Sequence, residues 1–362
     1  MSIPRRRLYR VMPLIALLAL PAAGAGCSTL GYYWQAFGGQ MELMRRARPI
    51  PEVIADPATA GDLKLRLERV REIRDFATRA LALPDNGSYR RYADLKRHFV
   101  VWNVFATPEF SVQPREWCFP VAGCVGYRGY FSEADAEAFA LGLRADRLDV
   151  YVAGVPAYST LGWLDDPVLS TFVGYPETEL ARLIFHELSH QVAYAKGDTT
   201  FNESFAVAVE TEGVKRWIDA KGSPEQRAAF DAAQQRRHDF AALVQRHRDR
   251  LAQLYASGLA PERMRAEKAS ALEAMRADYG ALKRQWGGFT GLDWWFEQPL
   301  NNAQLASIAI YTQLVPGFQR LLAGSGGDLP RFYVEVKALA RLPERERHAA
   351  LGEPPAERIT AR

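Results

Sequence analysis

His186, Glu187 and His190 stand in the spacing H-E-x-x-H, within Leu183-Ile184-Phe185-His186-Glu187-Leu188-Ser189-His190-Gln191-Val192. Residues four apart on a helix share a face, so both imidazoles can aim a nitrogen at one cation. Glu187 stands beside that face. It can reach a water near the cation without binding the cation itself, which suits a general base while the metal lowers the water's pKa toward ~7. The chemistry this points to is metal-assisted hydrolysis, with one zinc ion as the expected metal. Leu183, Ile184 and Phe185 bury the rest of the helix, and no other charge interrupts the motif. The competing reading of the bare motif is a surface helix with two solvated histidines.

A catalytic zinc wants three protein ligands and an open position, so a third donor must follow on a neighbouring element. Gly197-Asp198-Thr199-Thr200 has turn chemistry, and Phe201-Asn202-Glu203-Ser204-Phe205-Ala206 opens a second helix. Glu203 falls in its first turn, where a short reversal lays it beside the two histidines. Glu210 lies seven residues, about two turns, further along the same face. It is the alternative ligand, although an acceptor for an imidazole N–H suits it better. Asn202-Glu203 is nearest the turn, which favours Glu203 as ligand, with Asn202 and Glu210 in support.

These residues need elements to hold them. With 362 residues, 48% hydrophobic and 24% charged, the chain has the composition of a soluble globular protein with a large core. Residues 57–82 carry Leu63, Leu67, Val70, Ile73 and Phe76 at helical spacing. Segments 98–105 and 147–153 are β-branched and aromatic and read as strands. Between them a helix opens at Ser132 as N-cap. The Ala-, Arg- and Gln-rich run 223–286, broken at Gly258-Leu259-Ala260-Pro261, reads as a hairpin of two long helices inserted for shape or partner contact. From Glu344 the chain is polar and aperiodic, so a disordered tail is expected over 343–362.

Residues 1–26 join a basic start to an apolar stretch from Val11 to Ala23 and the small residues Gly24, Ala25 and Gly26 before Cys27. That is the pattern of an export signal. The ending resembles the lipobox of bacterial lipoproteins, which implies a lipid on Cys27; a plain secretory signal is the competing reading. The aromatic-rich segment after it, through Tyr32-Tyr33-Trp34, is unlike a flexible tether and is expected to pack on the body. All four basic residues before Cys27 are arginines with no acidic partner, and without them 42 basic residues face 42 acidic ones. A neutral mature chain offers no electrostatic case for nucleic acid as a partner. Cys118 and Cys124 remain, and in an oxidising compartment two cysteines so close usually pair.

The run His186 to His190 followed by Asn202-Glu203 resembles the gluzincin peptidases. More specifically, the chain resembles the bacterial putative aminopeptidase family of exported zinc proteins. The likeness rests on Tyr32-Tyr33 to Pro49, the stretch Trp117 to Cys124, Gly154 to Trp163, the motif helix and Asn301-Asn302, and it spans most of the mature chain. It implies an α+β, predominantly helical fold, with a zincin-like core over 49–342 behind a lipidated segment 27–48. It implies zinc on His186, His190 and Glu203, with Glu187 as base for hydrolysis of a peptide or protein substrate, as an aminopeptidase. It also implies an edge strand for substrate at Tyr151 to Thr160 and an oxyanion donor on a later helix. Tyr311 is the best-placed candidate, with a core tyrosine as the alternative. Val207 stands four after Glu203, where thermolysin-like enzymes carry an Asp, and the gap from His190 to Glu203 is short. The expected location is the cell envelope, lipid-anchored and facing the periplasm, with Ser28 after Cys27 favouring the outer membrane. The rival reading is a non-catalytic envelope lipoprotein with a structural metal clamp and a partner-binding hairpin.

Overall fold

A computed structural model of the chain describes residues 31–120 and 122–352; the export segment, Cys27 and residues 353–362 lie outside the described residues. The chain divides into two compact units, 1–45 and 46–362. In the first, residues 31–45 belong to a helix, α1 (31–46). Leu43 is buried, but Trp34 is 75% exposed and Phe37 60% exposed.

The second unit is predominantly helical, with short strands gathered into small sheets. It opens with β1 (Arg48–Pro49), α2 (Ile50–Ala55) and α3 (Gly61–Leu81), which buries Leu67, Val70, Ile73 and Ala77 along one face. Strand β2 (Arg91–Ala93) follows. Strand β3 (Val101–Pro108) is the middle strand of the central sheet, ordered β6-β3-β7 with β6 (Arg128–Tyr130) and β7 (Leu148–Val155). The hairpin of β4 (Trp117–Phe119) and β5 (Gly123–Val125) interrupts it, and α4 (Glu133–Ala145) leads into β7, with Ser132 as N-cap. Strand β8 (Val168–Leu169) joins β2 in the small first sheet.

Seven successive residues of β3 are buried, which an alternating strand with one wet face cannot manage. Both faces are covered. Phe139 of α4 packs on Tyr130, across from Trp102, while Phe105 and Tyr151 on the other face meet Ala303 and Ile310 of α10 (Asn302–Thr312). Asn301 and Asn302 dock α10 there. Asn301 caps the helix by accepting from the Gln304 N–H and donates from Nδ2 to the Val150 carbonyl at 3.1 Å. The Asn302 N–H donates to Asp149 at 2.8 Å. β7 is therefore a sheet edge fastened at its start to the helix that carries Tyr311.

The motif helix α5 (Glu177–Ser189) packs on α6 (Thr199–Lys221), and α7 (Pro224–Tyr255) packs on α8 (Pro261–Gln285) as a long hairpin opened by a capping box at Ser223. That hairpin owns a core of Phe240, Leu243, Leu251 and Met275. Trp295 and Phe296 of α9 (Asp293–Glu297) close it, so the aromatic loop after the hairpin is buried in part. Among the described residues no helix is long and apolar enough to cross a membrane.

After α11 (Val315–Gly324) and α12 (Leu329–Leu339), the expected disordered tail does not begin at 343. Glu344–Ala350 form a helix, α13. The reason is an ion pair invisible in local sequence. Arg347 Nη1 donates to Asp198 Oδ2 at 2.8 Å with both side chains buried, and His348 Nε2 lies 2.9 Å from the same oxygen. Removing one partner of a buried pair leaves an uncompensated charge, so Arg347→Met is expected to cost about 3–5 kcal/mol in urea denaturation. A loss below ~1 kcal/mol would mean that His348 alone satisfies Asp198.

Candidate metal centre

Helix α5 starts after Pro176, with Glu177 and Glu179 at the positive end of its dipole. Ile184, Phe185 and Leu188 are fully buried and fix its inner face. The regular helix ends at Ser189, but His190 keeps helical dihedrals (φ −59°, ψ −22°). The four-residue spacing therefore survives, and the two imidazole rings meet edge-on with centroids 4.9 Å apart.

The chain then reverses through residues 191–198. Asp198 caps α6 by accepting from the Phe201 N–H at 2.9 Å. Asn202 holds the reversal closed, because its amide accepts from Ala195 N–H at 2.7 Å and donates to the Ala195 carbonyl at 2.9 Å. One residue later, Glu203 Oε2 lies 3.2 Å from His186 Nε2 and 3.7 Å from His190 Nε2. His186, His190 and Glu203 each offer one atom to a group whose members all lie within 4.8 Å of one another.

Glu210 takes a different place. Its Oε2 is 2.8 Å from His186 Nδ1, the nitrogen that faces away from the cluster. With Nδ1 donating to that carboxylate, Nε2 is the nitrogen left to give a lone pair to a metal, in exchange for the proton it otherwise shares with Glu203. Two imidazole nitrogens and one carboxylate oxygen are also the donor set of a hydrolytic zinc site, so the residues fit that ion. His190 Nδ1 is buried with no hydrogen-bond partner among the described residues.

Sequence reasoning missed Arg182. It donates to both Glu210 oxygens at 3.2 Å and to Glu179 at 2.8 Å, and Arg237 of α7 donates to Glu179 at 2.6 Å. Arg182 stands four residues before His186, on the same face of α5, and that spacing was the available signal. Asp166 was missed as well. Its carboxyl is pushed up to about 6 by burial, and it acts electrostatically on Glu187.

Burial dominates the titration of this region. It pushes Glu187 up to about 7, with the Glu203, Asp166 and Glu210 carboxylates adding to the rise against the pull of His186. Burial opposes charging of His186 too, but hydrogen bonds to Glu203 and Glu210 outweigh it and raise the ring to about 10. His190, without such partners, is lowered to about 4 by burial. Tyr311 packs its ring 6.3 Å from that of His186. Burial, then Glu203, Tyr127 and Glu187, hold its phenol well above the usual range, so it is a hydrogen-bond donor at neutral pH. Tyr127, just after the β4–β5 hairpin, comes to this side, packing with Phe105 and Tyr311. Arg128 and Tyr130 pack on Phe139, on the α4 face of the sheet.

Cys118 and Cys124 are joined as a disulfide across the β4–β5 hairpin. That hairpin sits on the reversal between α5 and α6. The Ala122 carbonyl accepts from Gly197 N–H at 3.0 Å and from the Tyr194 hydroxyl at 3.2 Å, and Lys196 donates to the Pro120 carbonyl at 2.6 Å. Gly123 has φ +82°, and a Cβ there would stand 2.5 Å from the Gly197 nitrogen. Reducing the disulfide is expected to loosen the reversal and weaken divalent-cation binding at the three donors, read by chelator competition. Unchanged affinity would show that Asn202 and Asp198 hold the reversal without the hairpin.

A family model described as "Putative aminopeptidase" matches residues 31–351. No curated protein and no solved structure matches the chain.

Proposed function

The chain belongs to the "Putative aminopeptidase" family, and from that premise we propose that it is a zinc-dependent peptidase with a zincin-like core, acting at the cell envelope. The observation that carries this reading is the convergence of His186 Nε2, His190 Nε2 and Glu203 Oε2, with Glu187 next to it and outside the donor set. A bound zinc ion would supply Lewis-acid polarisation of the scissile carbonyl and make water more acidic.

The chain's own residues supply the rest. Glu187, poised near neutral pH by burial, takes the proton of the attacking water and returns it to the leaving amine. Tyr311, kept protonated, donates a hydrogen bond toward the oxygen on which charge develops. Glu210 fixes the tautomer of His186, and Arg182 holds Glu210 in place.

Strand β7 supports a role in aligning substrate, because among the described residues it pairs only with β3. The Val150 and Val155 carbonyls point to opposite edges, toward Asn301 and Val100 respectively. By the alternation of an antiparallel strand, Val152 and Gly154 share the unpaired edge with Val150. An extended peptide can add there as a further strand. Export by residues 1–26 and a lipid on Cys27 would hold the enzyme against a membrane, with the periplasm as the expected compartment.

The test is a defined peptide library incubated with the purified, zinc-loaded chain and read by mass spectrometry. Residues are expected to be lost from free N-termini, while N-acetylated copies stay intact. Absence of any hydrolysis at stoichiometric zinc would overturn the peptidase reading.

A further inference from the structure

Fourteen large apolar side chains are exposed among the described residues, and four of them, Tyr33, Trp34, Phe37 and Met41, fall within nine residues of α1. At 3.6 residues per turn their Cβ directions lie within an arc of about 100°. Leu43 lies on the other side of the helix and is buried. The exposed face is continuous, because Trp34 and Phe37 pack ring to ring at 6.3 Å, and Arg45 stands at its C-terminal end. An exposed apolar stripe of this kind marks a contact surface.

We propose that this face of α1 lies in the interfacial region of a lipid bilayer. The proposal rests on the envelope reading above. Composition argues for lipid, since Trp and Tyr are the side chains that favour the headgroup boundary, and a nearby arginine suits anionic headgroups. Chain geometry argues for it independently. Gly31 follows Cys27 by four residues, a reach of at most about 14 Å. A lipid on Cys27, or retention of the apolar stretch before it, would therefore keep α1 at the membrane surface. Tyr33, Trp34, Phe37 and Met41 would add an interfacial contact beside that anchor.

The test uses the full chain reconstituted on vesicles of phosphatidylcholine and phosphatidylglycerol, with and without brominated acyl chains. Tryptophan emission is compared between wild type and Trp34→Phe, so that the difference reports Trp34 alone. The expected difference spectrum is shifted to the blue, quenched by brominated lipid and insensitive to aqueous iodide. Replacing Phe37 and Met41 by serine together is expected to abolish the brominated-lipid quenching and restore iodide access while the protein still floats with vesicles. Iodide-quenched Trp34 on floated wild-type protein would overturn the proposal and leave the peptidase and anchor readings intact. A blue-shifted Trp34 without vesicles, accompanied by a dimer mass in light scattering, would assign the face to a second copy and also overturn it. Failure of the chain to float at all would remove the envelope reading and this proposal together, whatever the outcome of the peptide assay.

Discussion

Glu187→Gln is expected to reduce peptide turnover by about 10²–10⁴-fold, the range that general acid–base catalysis supplies, while zinc content and fold stay at wild-type level. The side chain lies beside the donor set, and His186, His190 and Glu203 do not need it to converge. It is also buried, with its carboxyl pushed up to about 7, so the protein already works against its ionisation. A neutral amide of the same shape removes that cost and is expected to leave thermal unfolding unchanged or slightly raised. Steady-state kinetics, metal analysis and a melting curve on one preparation separate these effects. Turnover within tenfold of wild type would remove Glu187 from catalysis and favour a structural metal site in an envelope lipoprotein.

Glu203→Gln is expected to lose stoichiometric zinc, whereas Glu210→Gln is expected to weaken zinc binding by about 10–100-fold, the range seen when a group behind a metal ligand is altered. Both carboxylates are buried and both meet His186, but at different nitrogens: Glu203 at Nε2 with His190 nearby, Glu210 at Nδ1 with Arg182 behind it. Glutamine is the substitution of choice at 210, because its carbonyl can still accept from Arg182 and His186, whereas alanine would strand a buried guanidinium. Chelator competition with metal analysis ranks the two variants. A larger loss at 210 than at 203 would exchange their roles and require His186 to turn over.

The comparison between sequence and structure turns on the same residues. The paired histidines, the reversal at 197–198, the Ser132 cap and the disulfide hairpin were legible because each depends on neighbours within a few positions, where backbone periodicity and turn chemistry decide the outcome. The strand at 98–105 was placed three residues early. Pairing with β7 sets its start, through Val101 opposite Val155. The tail beyond 343 read as disordered because it has no apolar period. A single buried arginine, 149 residues from its aspartate partner, orders its first turns instead.

By itself, then, the sequence determined the kind of chemistry available: two imidazoles and a carboxylate base on one helix, a carboxylate near the start of the next, though past the first turn expected for it because α6 opens at Thr199, and a short covalent loop nearby. Which carboxylate faces the cation is another matter. Glu203 and Glu210 lie on one stripe of α6, and only the way that helix packs against α5 decides which imidazole nitrogen each one meets. The same packing brings Tyr311 against His186 from α10 and lets Arg182 close on Glu210. Tertiary structure decided those assignments because they depend on how buried side chains from distant segments fill one shared space, which no local pattern encodes.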